Sequence, residues 1–271
     1  MTTPSPAPVP SPATVPPTPA TTPATTLPPL TLRLDGPDAD LAAANAELEA
    51  AATAEPAFAE ALVRRVLEAF PGQVFLTTAW QRNGMVLVEM ISRLAPDTPV
   101  LFVDTGYHFP ETLEYSAEMT RRFGLNLITC RPLKTREAFE AEFGARLHDR
   151  DPDTCCKHNK VEPLDREIAR LGRRVWLTAL RRDQSETRGA TPILQRRKDG
   201  LLKVAPMVKW TNQKVWQYLK ARGIPDHPLY DKGYASIGCA PESCTRPVAP
   251  GDDERAGRWA GKGKKECGLH V

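Results

Sequence analysis

The chain alternates short apolar runs with longer stretches in which apolar residues return every three or four positions. From Ala42 to Phe70 the pattern is helical, Ala-rich at first and then carrying Phe58, Leu62, Val66 and Phe70 at four-residue spacing, with Gly72 as the stop. Short runs over 74–78, 100–103, 125–129 and 175–179 read as strands. Helical periods fill the gaps at 84–94, 110–123, 135–143 and 161–171. Pro110 suits a first helical turn and Gly124 lies just past its end, while Thr211 can cap a helix running to Ala221 ahead of Gly223 and Pro225. This rhythm predicts an α/β fold with a mainly parallel sheet flanked by helices. Beyond Ala221 Gly and Pro are dense and no period survives, so loops wrapped around something that replaces an apolar core are expected there.

Composition adds boundaries. Residues 1–30 are nearly all Pro, Ala, Thr, Ser and Val, too poor in large apolar side chains to offset ordering entropy, and read as a disordered leader. Residues 31–250 then form an α/β domain and 251–271 a flexible tail. No run approaches the roughly 18 uninterrupted apolar residues of a membrane span, and the N-terminus lacks the basic segment of a targeting signal, so a cytoplasmic protein without a membrane partner is expected. A net charge of +3 is too small to argue for a nucleic-acid partner. Self-association into a homo-oligomer is left open.

Six cysteines in a chain of this size without a secretion signal read as reduced thiols with metal or redox duties. Cys155, Cys156, Cys239 and Cys244 supply four thiols from two loops about eighty residues apart. Four thiolates so arranged can surround one iron–sulfur cluster or one metal, and Lys157, Lys160 and Arg246 would offset their charge. Zinc more often takes Cys-x2-4-Cys knuckles than a directly adjacent pair. Cys130 reads as buried packing. Cys267 stands apart in a Gly-flanked tail, where Lys264, Lys265 and His270 can stabilise its thiolate and raise the fraction of nucleophile.

Three loops that follow strands carry polar or cationic groups: Thr77 and Thr78; Asp104, Thr105 and Gly106; and Arg181, Arg182 and Arg188. In open α/β sheets ligands bind at the carboxyl ends of the strands, so these loops should converge on one crevice suited to phosphate or sulfate oxygens. The Asp-Thr-Gly run occurs once, whereas an aspartic protease needs two such carboxylates sharing a proton.

The runs VDTGYHFPET (103–112), CCKHNKVEPL (155–164), TALRRDQS (178–185), YASIGC (234–239), CTRPV (244–248), RAGRW (255–259) and KECGLH (265–270) together resemble the cluster-containing assimilatory adenylyl-sulfate (APS) reductases. The resemblance implies an adenine-nucleotide α-hydrolase-like (PP-loop-like) fold and a [4Fe–4S] cluster on Cys155, Cys156, Cys239 and Cys244, with Lys160 near it. It implies Cys267 as nucleophile on the sulfur of APS, accompanied by His270, and thioredoxin or a similar dithiol as the partner that releases sulfite. Thr78, Asp104, Thr105, Gly106, Arg181, Arg182, Arg188, Arg255 and Arg258 are then the expected substrate contacts.

Two departures from the family pattern stand out. Cys239 and Cys244 are separated by four residues instead of two, and Gln81 occupies a position where relatives carry Gly in the nucleotide loop. Alternatives are a reductase of the 3′-phosphorylated substrate (PAPS), which typically lacks the four cysteines; a zinc-stapled nucleotide-binding module, which leaves the KECGLH ending unexplained; and a nucleotide-activating sulfur-insertion enzyme, whose Ser-Gly-Gly-x-Asp-Ser loop is missing here.

Overall fold

A computed structural model describes residue 27 and residues 32–239, 244–249 and 251–269. The expected leader thus falls largely outside the described residues, as do His270 and the insert between Cys239 and Cys244. Leu27 is buried, and its carbonyl accepts from Arg65 (2.9 Å).

The elements in chain order are α1 (Asp38–Ala51), α2 (Pro56–Ala69), β1 (Val74–Thr78), α3 (Arg82–Leu94), β2 (Val100–Val103), α4 (Pro110–Phe123), β3 (Leu127–Cys130), α5 (Arg136–Phe143), α6 (Leu147–Arg150), α7 (Pro152–Cys156), α8 (Glu162–Leu171), β4 (Val175–Leu177), β5 (Leu194–Arg196), β6 (Leu202–Val204) and α9 (Asn212–Ala221). The strands form one sheet in the order β3-β2-β1-β4-β6-β5, parallel throughout except for the antiparallel β5–β6 pair. The mainly parallel α/β expectation therefore holds. Among the described residues no helix is long and apolar enough to cross a membrane.

Side-chain alternation along the strands divides the core. Val74 and Leu76, Val100 and Phe102, and Val175 and Leu177 face one layer with α2, α3 and α9. Phe75, Leu101 and Trp176 face the other, against Leu164 and Ile168 of α8. A strand buried on both faces reads as a continuous apolar run, which is why periodicity located these strands but could not say which residue faces which layer.

Local chemistry sets the helix ends. Thr135 and Thr211 accept from Ala138 and Lys214 N–H groups at 3.3 and 3.2 Å, capping α5 and α9. Gly124 ends α4 with φ 58°, a left-handed conformation that costs glycine little.

Three expectations need correction. The helical stretch from Ala42 to Phe70 is two helices, because the second begins at Pro56, which has no N–H to extend the first. The β5–β6 hairpin was not foreseen, since Gln195, Arg196 and Lys203 interrupt its two three-residue strands, whereas the equally short β4 is an unbroken apolar run. The helix over 161–171 is preceded by a wide π turn over Lys157–Val161, closed by Glu162 N–H donating to the Lys157 carbonyl. Pro163 cannot donate to the carbonyl four residues earlier, and the turn ahead of it widens. That π turn follows the tandem cysteines directly and buries Asn159 and Lys160.

Candidate active site

The carboxyl ends of β1, β2 and β4 open into a cavity. Its wall includes Thr77 and Thr78, Val103, and Ala179 with Leu180 from the sheet, Asn83 and Gly84 from the start of α3, and Arg255, Arg258, Cys267 and Leu269 from the tail. Thr78 Oγ1 accepts from Trp80 N–H (3.1 Å), and Trp80 itself is fully buried with φ 59°. A side chain at Gly84 would put Cβ 2.7 Å from Thr78 Oγ1, so this tight closure of the loop onto the helix start requires glycine.

Gln81 has a definite duty in this arrangement. Its Oε1 accepts from Ile237 N–H (3.0 Å) and Ser236 Oγ (3.4 Å), stitching the nucleotide loop to the segment that leads to Cys239. Next to it, Arg82 makes a two-pronged pair with Asp226 (2.8 and 2.7 Å) and lies 3.9 Å over the Tyr230 ring.

Cations dominate the far wall. Arg188 donates to Gln184 Oε1 (2.8 Å) and through Nε and Nη2 to Glu266 (2.9 and 2.8 Å). Arg255 reaches the Lys265 carbonyl (2.9 Å) and Glu266 (3.1 Å). Arg258 donates to the Ile237 carbonyl (3.1 Å), packs 4.5 Å over the Trp259 ring, is 8% exposed, and has a buried Nε without a partner among the described residues. Burial, followed by the neighbouring Arg188 and Arg258, lowers the affinity of Arg255 for its proton. An excess of positive charge is therefore built into this wall, the condition for taking up an anion.

A second, smaller pocket is lined by Cys155, Cys156, Cys239 and Cys244 with Thr105, Tyr107, His148, Asn159 and Lys160. All four cysteines are buried and free of disulfides. The four-residue spacing thus still brings both Cys239 and Cys244 to one pocket. Burial pushes Cys155 up to about 12 and Cys156 to about 11. Burial acts on Cys239 in the same sense, but Lys160, Thr105 and Arg258 outweigh it and lower its pKa. Burial likewise opposes the charge on Lys160, yet the sulfurs of Cys239 and Cys156 prevail and raise it.

Among the described residues no three His, Cys, Asp or Glu side chains converge tightly enough for one metal ion. The four thiols nevertheless line one pocket, and four cysteines supplied from two loops are a donor set of the kind that holds an iron–sulfur cluster.

Lys160 lines both spaces. Trp259, fully buried, packs with Tyr107, Cys156, Cys239 and Cys244, and partly buried Cys267 touches the same cluster. The tail is attached to the cysteine loop by backbone: Trp259 N–H donates to the Cys244 carbonyl (3.1 Å), Arg246 N–H to Gly257 (3.0 Å), and Thr245 bridges Arg258.

Of the expected substrate contacts, Thr78, Arg188, Arg255 and Arg258 line the cavity together with Cys267 and Lys160. The others lie elsewhere. Thr105 sits in the cysteine pocket, its Oγ1 3.5 Å from Cys239 Sγ. The carboxylate of Asp104 accepts from Gly106 N–H (3.2 Å) and lies 3.4 Å from Arg131, and neither Asp104 nor Gly106 is in the cavity wall. Arg181 is completely buried, held by Asp183 (3.0 Å) and by both oxygens of Glu254 (3.2 and 2.9 Å). Arg182 turns to the Thr191 carbonyl (2.8 Å) and Glu49 of α1. Sequence reasoning singled out Gln81 only as a departure from the family pattern and gave no duty to Glu254, Glu266 or Trp259. Glu266 and Trp259 carried a signal, as members of the KECGLH and RAGRW runs.

Residues 73–247 match the family model of the phosphoadenosine phosphosulfate reductase domain. The adenosine 5′-phosphosulfate reductase of Streptomyces coelicolor is 45% identical over 217 residues, which cover 80% of this chain and 89% of that protein. The phosphoadenosine 5′-phosphosulfate reductase of Gloeobacter violaceus is 41% identical over 214 residues, 78% of this chain and 88% of its own. A crystal structure of phosphoadenylyl-sulfate reductase from Candida auris in a phosphate complex superposes with a TM-score of 0.61 at 29% identity, covering 67% of this chain and 87% of that one. The FMN adenylyltransferase of Candida glabrata, at 14% identity and a TM-score of 0.52 over 68% of this chain and 61% of its own, shares the fold alone. With the family model spanning 73–247 and relatives above 40% identical over most of the chain, this protein belongs to the phosphoadenosine phosphosulfate reductase family.

Proposed function

We propose that this chain is a cytoplasmic, thioredoxin-dependent APS reductase of sulfate assimilation, with Cys267 as its nucleophile and a [4Fe–4S] cluster on Cys155, Cys156, Cys239 and Cys244. The observation that carries the reading is the meeting of Cys267 with Arg188, Arg255, Arg258 and Lys160 around one cavity, beside a separate pocket of four buried sulfurs.

The Cys267 thiolate attacks the sulfur of the sulfuryl group. The bond from that sulfur to the phosphate oxygen breaks, AMP leaves with the electron pair, and Cys267 carries an S-sulfo group. A thioredoxin thiolate then attacks Cys267 Sγ, sulfite departs with the pair from the sulfur–sulfur bond, and the second thiol of the reductant resolves the mixed disulfide and frees Cys267. The dithiol is oxidised and the sulfuryl sulfur reduced. Arg258, whose buried Nε has no partner among the described residues, is suited to the phosphate and sulfuryl oxygens, and its fork geometry favours them over a point contact. Asn83, whose buried Oδ1 lacks a partner among the described residues, offers an acceptor to the nucleoside. When bound, the cluster would add compact charge beside Lys160, tuning the wall that the two spaces share.

Relatives carry both substrate names, so the deciding experiment offers APS and PAPS separately to the anaerobically purified protein with thioredoxin. Sulfite from APS at a much higher kcat/KM supports the reading, and a preference for PAPS overturns it. Four-cysteine ligation predicts brown protein with about four iron and four sulfide per chain. A colourless zinc protein would remove the cluster.

A further inference from the structure

Glu266 immediately precedes Cys267, yet its carboxylate points into the cation wall. It accepts from Arg188 Nε (2.9 Å) and Nη2 (2.8 Å), from Arg255 Nη2 (3.1 Å) and from Thr187 Oγ1 (3.2 Å). The remaining tail contacts are of a different quality. Lys262 pairs with Asp149 and Lys264 with Asp153, whose carboxylates are 32% and 83% exposed, whereas the Glu266 and Arg188 side chains are 20% and 11% exposed. Ion pairs near water contribute little, and those with several charge-assisted bonds away from it contribute most. All three nitrogens of Arg188 are engaged in this arrangement, Nη1 with Gln184 and the other two with Glu266, which commits three of its five N–H donors.

We propose that Glu266 is the clasp of the C-terminal tail, with Arg188 as its receptor. Closed on Arg188, it seats Cys267 against the cavity; Arg188 thereby acts as a positioning residue and leaves anion recognition to Arg258 and its neighbours. The proposal takes the identity of the reacting thiol from the reading above, but the clasp itself makes no use of substrate. Its release, through loss of a few noncovalent bonds, exposes Cys267 to a second protein without any change in the sheet.

The test measures the rate at which iodoacetamide alkylates Cys267 in the full chain, resolved by peptide mass, with buried Cys130 as the internal gauge of global opening. Glu266→Gln and Arg188→Gln should each speed alkylation of Cys267 roughly tenfold, the scale of a charge-assisted pair. The double variant should be no faster than Glu266→Gln alone, because that change already removes the contact with Arg188 along with those to Arg255 and Thr187. The two single changes have opposite electrostatic effects on the thiol: losing a neighbouring carboxylate favours the thiolate, and losing a guanidinium disfavours it. Acceleration by both therefore reports opening, whereas slowing by Arg188→Gln, or no change with Glu266→Gln, overturns the clasp. If Cys130 reacts as well, the variant has opened globally and added salt on the unmodified chain decides: Cys267 alone should speed up, and an insensitive rate overturns the proposal. Since no substrate enters these measurements, a failed clasp and a failed APS assay are separate results.

Discussion

Lys160 faces two spaces that hold the same element in opposite settings. On one side Cys155, Cys156, Cys239 and Cys244 lie buried around one pocket, where burial pushes Cys155 and Cys156 well above the ordinary thiol range. On the other, Cys267 is half-buried in a wall that carries Lys160, Arg188, Arg255 and Arg258, of which Arg188 and Arg255 pair with the carboxylate of Glu266. Buried thiols stay neutral until a cation compensates them, which suits ligands. A thiol beside an excess of cations and open to a cavity suits a nucleophile. The lesson is that cysteine chemistry here is set by the partition between the spaces, and Trp259 and Lys160 are that partition.

The largest effect expected is on the two thiol classes themselves. Cys267→Ser should lower sulfite release roughly a thousandfold or more while keeping iron and AMP binding. Cys156→Ser should lose iron, and Cys130→Ser should keep it. Assays of sulfite and iron on the three variants check this, and an iron loss confined to Cys267→Ser would break the comparison.

The cation wall comes next. Arg258→Ala should cut kcat/KM about 10- to 100-fold, as expected for loss of hydrogen bonds to a charged group. Arg182→Ala, whose side chain is turned to Glu49, should change it little. Equal effects from the two would mean that the cavity does not distinguish the arginines as its geometry requires.

The smallest effect concerns the edge of the cavity region. His227 is buried, its Nε2 3.1 Å from Thr112 Oγ1 and its Nδ1 accepting from Leu229 N–H (3.2 Å), and burial lowers its pKa to about 4. The unfolded chain takes up this proton near pH 6.5 and the folded one does not, so stability falls as pH drops from about 6.5 toward 4, by up to roughly 3 kcal/mol. Melting curves across that range should be flatter for His227→Gln by this amount, and an unchanged slope would place the acid sensitivity elsewhere.

Strands over 74–78 and 100–103 and the helix over 110–123 were legible because period, caps and punctuation act within a few residues. So were the six cysteines, their division into a set of four and a single tail thiol, and the family to which their surrounding runs point. The sequence could not tell which arginine of 181, 182 and 188 faces the cavity. Adjacent side chains diverge, and each guanidinium pairs with a carboxylate distant in the chain: Glu254, which joins Asp183 on Arg181, Glu49 and Glu266 lie 73, 133 and 78 residues away. Nor could it tell that Thr105 belongs with Cys239, or that Gln81 secures the nucleotide loop to the segment before Cys239. Residue type and spacing report local backbone preference and available chemistry, whereas which group meets which depends on long-range packing, and only the folded chain decides that.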